Sequence, residues 1–193
     1  MTQQDFLEKV EANPIIAAVR NDEGLSKALA SDVNIIFILY GDICSISDIT
    51  ERIEASGKIS MVHMDLISGL NHSSEASVEF IKKFTKAAGI ITTKGNLIGK
   101  AQELDLRTVL RYFILDSKAL DLIGKQSRAG CVQPDLIEIL PGAVRSIVIE
   151  RIRKIVRVPV ICGGLISSKE EVVYALKSGA LAISATNEAV WKL

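Results

Sequence analysis

Short apolar segments recur along the chain, separated by polar stretches that contain turn residues. Each segment is rich in Ile and Val and is hydrophobic almost throughout, rather than at every second position. This pattern is typical of strands that are buried on both faces of a parallel sheet. The eight predicted strands are Ile15–Arg20, Ile35–Gly41, Ile59–Ile67, Gly89–Thr93, Thr108–Ile114, Leu136–Leu140, Val158–Cys162 and Leu181–Ala185.

Several of the intervening stretches have apolar residues at helical spacing. The segment Ser168–Ser178 begins with a serine that suits an N-cap, carries two glutamates in its first turn and is followed by Gly179. Residues of these types favour the start and the end of a helix. The predicted helices are Ser47–Ser56, Ser74–Ala88, Ala143–Val156 and Ser168–Ser178.

Strand and helix alternate along the whole chain, which predicts parallel strands joined by helical crossovers. Eight such units are the number found in a (β/α)8 barrel of the TIM type. Because that fold usually has ~250 residues, we expect minimal loops and one missing or distorted helix. A doubly wound open sheet is the alternative, but the first strand leads into Asn21 and Asp22 without a GxGxxG motif. We therefore predict a compact α/β barrel, formed by one domain over residues 1–193.

The composition narrows the class of protein without naming a partner. With 23 basic and 23 acidic side chains the net charge is zero, so an RNA partner would need a local basic patch. The apolar runs are too short to span a bilayer, and no signal sequence opens the chain. Three widely spaced cysteines without a CxxC pair argue against a zinc site or a disulfide framework. We expect a cytoplasmic protein with no metal, no cofactor and no membrane contact.

Functional groups in such a barrel lie at the carboxyl ends of the strands. Polar side chains on the face that strand alternation assigns to the barrel interior are therefore candidates for a binding site. They carry three positive and two negative charges, which suits a small, anionic, hydroxylated ligand. These residues are Arg20, His63, Asp65, Lys94, Arg111 and Glu138.

Some of these candidates fit structural roles equally well. Arg111 and Glu138 can form a buried ion pair that fills the barrel, and His63 can be a hydrogen-bonded core residue. Asp65 and Lys94 lie at strand ends, where a ligand role is the better interpretation.

A glycine pair, Gly163 and Gly164, follows the seventh predicted strand. The eighth strand runs into Glu188–Leu193, which can be helical. Backbone amides from these two loops beside a helix N-terminus form the phosphate site of many barrels. The alternative is that the two glycines only form a tight turn.

Catalytic signals are few. The chain has no Ser–His–Asp spacing, HExxH or P-loop motif. Asp65 and Lys94 offer one acid–base pair, as a phosphotriose or phosphosugar enzyme would use. An orotidine phosphate decarboxylase would have Asp-x-Lys-x-x-Asp here, but Asp65-Leu66-Ile67-Ser68 lacks the lysine.

Ordered motifs at the strand ends resemble those of the glycerol uptake operon antiterminator regulatory proteins. The resemblance covers the chain from Pro14 to Trp191. The motifs are Met64-Asp65-Leu66-Ile67-Ser68-Gly69-Leu70, Ile91-Thr92-Thr93-Lys94, Arg111-Tyr112-Phe113-Ile114-Leu115-Asp116-Ser117, Ile137-Glu138-Ile139-Leu140-Pro141-Gly142, Gly163-Gly164-Leu165-Ile166 and Gly179-Ala180-Leu181-Ala182-Ile183-Ser184.

The resemblance implies a non-enzymatic barrel that binds glycerol 3-phosphate and then an mRNA leader, and so prevents premature transcription termination. It implies that Asp65, Lys94 and Glu138 bind the glycerol hydroxyls or balance the charge of the site. One departure is Ala185, where the family more often has Ser or Thr after the serine of the eighth strand. The residues implied to hold the phosphate are Gly142, Gly163, Gly164, Ser184 and Thr186.

The best candidate for an RNA contact is a basic patch of Arg153, Lys154 and Arg157, opposite the apolar stripe of its helix. A solvated helix face explains these charges as well. Two other functions stay open: a phosphosugar enzyme that uses Asp65 and Lys94, and a metabolite-binding barrel without a nucleic acid partner. The sequence also leaves open whether the protein forms a homo-oligomer.

Overall fold

Eight parallel strands close into a barrel in sequence order, with β8 paired to β1. The computed structural model describes all 193 residues. The strands are β1 Ile15–Val19, β2 Ile35–Ile38, β3 Ile59–His63, β4 Gly89–Thr92, β5 Arg107–Phe113, β6 Leu136–Leu140, β7 Val160–Gly163 and β8 Ala182–Ala185. The helices are α1 Gln3–Ala12, α2 Asp22–Leu29, α3 Ile46–Ala55, α4 Glu75–Phe84, α5 Asn96–Glu103, α6 Ser117–Gln126, α7 Ser146–Ile155 and α8 Lys169–Lys177. The predicted (β/α)8 barrel is confirmed.

The predicted elements are present with shifted ends. The third predicted strand stops at His63, and a 3-10 turn over Met64–Leu66 follows it. Helix α7 begins at Ser146, three residues later than expected. Helix α8 has the expected start, a capping box in which Ser168 and Glu171 exchange hydrogen bonds.

Alternating residues of each strand divide the apolar side chains into two clusters. One cluster fills the barrel interior and includes Ile16, Met61, Ile91 and Val109, while the other lies between the strands and the helices. Because Ile91 faces the interior, the next residue, Thr92, faces the helices. Lys94 lies beyond the end of β4, so strand alternation does not fix its direction.

Helix α1 closes the amino-terminal end of the barrel. Its Phe6 and Val10 are completely buried and belong to the interior cluster. The helix begins with a capping box between Thr2 and Asp5. This helix was not predicted from the sequence, although the spacing of Phe6 and Val10 and the capping residues were visible signals.

The last helix of the barrel is reduced to a 3-10 turn, Val190–Lys192, where a helical Glu188–Leu193 was predicted. The buried Trp191 fixes this turn, since its indole N–H donates to the Ala185 carbonyl at 2.8 Å. One shortened helix is what the chain length implies for this fold. None of the helices has both the length and the apolar character needed to cross a membrane.

Replacing Phe6 by Ala should destabilise the protein by about 3–5 kcal/mol, since it opens a cavity at the closed end of the barrel. Urea denaturation measures the change. Glu8→Ala, an exposed change in the same helix, is the matched control and should be nearly neutral. Equal stabilities of the two variants would show that α1 does not seal the barrel.

Candidate functional site

The carboxyl ends of the strands and the loops that follow them form the mouth of the barrel. Directly below it lies a buried polar chain from β5, β6 and β8. Arg111 Nε donates to Glu138 Oε2 at 2.6 Å, and the Ser184 hydroxyl donates to Glu138 Oε1. Glu138 is fully buried, so both of its oxygens need these donors. The ion pair considered from the sequence is present, and it occupies the carboxylate that was expected to read ligand hydroxyls.

Gly163 is the residue that allows this chain to form. A Cβ at Gly163 would collide with Glu138 Oε1 and with the Ser184 hydroxyl. The Gly142 amide donates to the carbonyls of Gly163 and, at 3.0 Å, Gly164. The loops after β6 and β7 are therefore held to each other above the buried carboxylate.

His63 is buried at the end of β3 without a hydrogen-bond partner on either ring nitrogen. Its Nδ1 lies 3.5 Å from Asp65 Oδ2. Burial lowers the pKa of His63 to about 3, the positive charge of Arg111 contributes to this lowering, and Asp65 opposes it. The ring is thus neutral, and it is not the hydrogen-bonded core histidine that the sequence suggested.

Asp65 is held by the loop after β4. Its Oδ1 accepts from the Thr93 hydroxyl at 2.8 Å and its Oδ2 accepts from the Thr93 amide at 3.1 Å. Lys94 forms no ion pair, with Asp65 or with any other carboxylate. Thr93 was not selected from the sequence, where its only signal was its position directly after an apolar strand.

Loops after β7 and β8 present free backbone donors to the mouth. The amides of Gly164, Leu165 and Thr186 donate no hydrogen bond within the chain. Gly164 has φ +75°, and both Gly164 and Thr186 are exposed. Consecutive free amides of this kind can bind an anion.

The side chain of Asn187, which was not selected from the sequence, ties these two loops together. Its Nδ2 donates to the Ser167 carbonyl at 3.2 Å, and its Oδ1 accepts from the Ala189 amide at 3.0 Å. Because only a 3-10 turn follows, the N-terminus of the short helix expected over Glu188–Leu193 is missing. Any anion here would rely on loop amides rather than on a helix dipole.

The sequence-predicted residues thus separate into two levels. Arg20 is exposed, while Asp65 and Lys94 are half-buried at the rim. The buried lower level consists of His63, Arg111, Glu138 and Ser184.

The predicted basic patch lies at the opposite end of the barrel. Helix α7 runs away from the mouth, and the Arg153 guanidinium packs against Gly179, just before β8. Arg153, Lys154 and Arg157 are all exposed. The patch is separated from the mouth by the length of α7.

The chain holds no cluster of three or more His, Cys, Asp or Glu side chains arranged to bind a metal ion. The three cysteines are free thiols, with Cys162 buried and Cys44 and Cys131 exposed.

Comparison with known proteins assigns the family. The family model described as "Glycerol-3-phosphate responsive antiterminator" matches residues 15–191. The chain belongs to this family. A relative from Escherichia coli K12, the uncharacterized protein YgcP, is 38% identical over 191 residues, which are 97% of this chain and 96% of YgcP.

Two solved antiterminator structures share the fold. The glycerol uptake operon antiterminator regulatory protein of Listeria monocytogenes str. 4b F2365 is 32% identical with a TM-score of 0.84, over 93% of this chain and 95% of that one. A glycerol uptake operon antiterminator-related protein of Thermotoga maritima MSB8 is 34% identical with a TM-score of 0.80, over 93% and 98%. The resemblance found in the sequence is confirmed.

Enzymes with this barrel are more distant. The N-acetylmannosamine-6-phosphate 2-epimerase of Clostridium perfringens is 17% identical with a TM-score of 0.68, over 93% of this chain and 88% of that one. At this identity the similarity shows the fold alone.

Gly163→Ala should destabilise the protein by about 1–3 kcal/mol, because the added methyl group displaces Glu138. Its effect should not add to that of Ser184→Ala, since both changes disturb the same carboxylate. Gly164→Ala is the control: its Cβ would lie 3.5 Å from Leu140, so its effect should add to that of Ser184→Ala. Additive free energies of unfolding for Gly163 and Ser184 would contradict the proposed coupling.

Stability should fall as the pH drops from about 6.5 toward about 5, in part because of His63. The unfolded chain binds a proton at His63 below the ordinary histidine pKa of 6.5, whereas the folded protein excludes that proton until about pH 3. The free energy of unfolding then decreases by up to about 1.4 kcal/mol per pH unit. His63→Phe removes this contribution, so urea denaturation across this range should show a shallower decrease. Parallel pH profiles of wild type and variant would exclude a lowered His63 pKa.

Proposed function

We propose that this protein is a transcription antiterminator that responds to glycerol 3-phosphate and binds the leader mRNA of glycerol-utilisation genes. The observation that carries the proposal is the family match over residues 15–191. The 32% and 34% identity to antiterminator proteins of the same fold supports it. A protein with this role acts in the cytoplasm, where the nascent transcript is made.

The mouth is the proposed binding site for glycerol 3-phosphate. The free amides of Gly164 and Thr186 suit the phosphate, with Gly142, Gly163 and Ser184 shaping the loops around it. Lys94 has no carboxylate partner of its own, so its charge is available to the dianion. Arg20 and the buried Arg111 add positive charge to the site, whereas the Asp65 carboxylate already holds Thr93.

The same contacts support a regulator rather than an enzyme. An acid–base pair of Asp65 and Lys94 would need the two side chains to face a common substrate atom. The Asp65 carboxylate instead holds both the hydroxyl and the amide of Thr93. The contacts therefore give no specific support to a phosphosugar enzyme.

RNA contact is proposed for Lys154 and Arg157, with Arg153, which also contacts Gly179, as their neighbour. All three cations are exposed and free of ion pairs at the amino-terminal end of the barrel. Cations of this kind bind the phosphate backbone and make affinity dependent on salt.

Filter binding of the leader RNA, with and without glycerol 3-phosphate, tests the function. We expect the ligand to raise RNA affinity by about 5–150-fold, and RNA to raise ligand affinity by the same factor. Incubation with triose and pentose phosphates should give no product. RNA affinity that is independent of glycerol 3-phosphate would refute the gated mechanism, and turnover would restore the enzyme alternative.

The patch is tested separately with the Lys154→Ala/Arg157→Ala variant. The salt dependence of RNA binding should weaken by about one unit of slope for each cation that no longer meets a phosphate. Glycerol 3-phosphate binding should be retained, because the mouth lies at the other end of α7. A Lys82→Ala/Lys83→Ala variant on exposed α4 is the matched control and should keep the wild-type slope. An unchanged slope in the α7 variant would place the RNA elsewhere.

A further inference from the structure

We propose that His63 recognises a hydroxyl group of the ligand at the floor of the mouth, and so selects a hydroxylated phosphate over a plain alkyl phosphate. The inference rests on the proposed binding of glycerol 3-phosphate and adds the residue that discriminates between ligands. From the sequence, His63 was undecided between a ligand contact and a core residue.

The first observation is that the imidazole is buried and unsatisfied. Its side chain is only 3% exposed, and neither nitrogen has a hydrogen-bond partner in the protein, although Asp65 Oδ2 lies 3.5 Å from Nδ1. Buried polar groups in native proteins are nearly always paired, and each such group warrants an explanation. His63 shares the inward face of β3 with Met61, so its ring lies inside the barrel rather than among the helices.

The second observation is that the carboxylates near the ring are already occupied. Glu138 accepts from Arg111 and Ser184, and Asp65 accepts twice from Thr93. The sequence analysis expected both carboxylates to contact the ligand, but both already accept hydrogen bonds within the protein. Among the lower-level side chains, the groups without a hydrogen-bond partner in the protein are the His63 ring and the remaining nitrogens of the Arg111 guanidinium.

The chemistry of the ring determines what it can bind. A neutral imidazole offers one N–H donor and one lone-pair acceptor. A hydroxyl group also donates one hydrogen bond and accepts others, so it matches both functions of the ring. A phosphate dianion offers acceptors only, and it is better served by the amides of Gly164 and Thr186 at the rim. The phosphate is thus assigned to the upper level and a carbon-bound hydroxyl to the lower one.

Calorimetric titration of wild type and His63→Phe with glycerol 3-phosphate and with n-propyl phosphate tests the proposal. The two probes have the same carbon number and phosphate, and they differ in the hydroxyls. His63→Phe should lower affinity for glycerol 3-phosphate by about 10–100-fold, the loss expected when a buried hydrogen-bonding group goes unpaired. Affinity for n-propyl phosphate should change by less than about threefold.

Two further variants separate recognition from packing. His63→Gln keeps a donor and an acceptor, so it should recover part of the preference for glycerol 3-phosphate. Met61→Leu alters the same inward face without a polar group and should leave both affinities unchanged. Because the phenyl ring of His63→Phe leaves no buried nitrogen unpaired, that variant should unfold at a urea concentration no lower than wild type.

Each outcome bears on a different claim. Wild-type protein that binds both probes equally, or a His63→Phe variant that loses both equally, would overturn hydroxyl recognition by His63 while glycerol 3-phosphate remained the ligand. Wild-type protein that binds neither probe would refute the proposed function itself, and the inference would fall with it.

Discussion

The architecture of the mouth depends on a single buried charge, the carboxylate of Glu138. A carboxylate that is fully removed from water is tolerated only when it is paired and hydrogen-bonded. Arg111 supplies the opposite charge and Ser184 the second donor, so three strands converge on one group. The space for this arrangement exists because position 163 has no side chain. The carbonyl of the same glycine accepts a hydrogen bond from the Gly142 amide. The buried carboxylate therefore also determines where the loops after β6 and β7 lie.

This constraint divides the polar groups of the mouth into those that support the site and those that remain available. Glu138, Ser184 and the Gly142 amide are used within the protein, as is the Asp65 carboxylate through Thr93. Free groups are fewer: the loop amides, Lys94, the remaining nitrogens of Arg111 and the ring of His63. A ligand that fits them has an anionic end for the rim and an uncharged polar end for the floor. Glycerol 3-phosphate, the proposed ligand, has this polarity.

The barrel was predictable because eight doubly buried strands leave a strong signal in composition and spacing. The site was less predictable, since the sequence shows which residues are polar but not which of them already form hydrogen bonds within the protein. Thr92, for example, is a polar residue of an apolar strand, yet it faces the helices and its hydroxyl accepts from the Lys94 amide. The partnership of Asp65 with Thr93 joins residues that are distant in the chain, and only the register of β3 on β4 brings them together. Helix α1 was not predicted because it buries only two residues, Phe6 and Val10, and most of its other residues are polar.

The positions of the two proposed sites limit how one can control the other. Contact between ligand and RNA is excluded if the RNA lies at Lys154 and Arg157, so coupling needs an element that spans the barrel. Helix α7 has this property: its preceding loop contains Gly142, and its last turn carries Lys154. Its first amide, Ser146, donates to the Tyr174 hydroxyl of α8 at 2.8 Å, while the side chain of the N-cap residue Arg145 forms no capping hydrogen bond. The hydrogen bond between Ser146 and Tyr174 is exposed, and it joins the mouth end of α7 to α8. If a ligand rearranges the Gly142 loop, α7 is the element that connects this change with the basic end of the barrel.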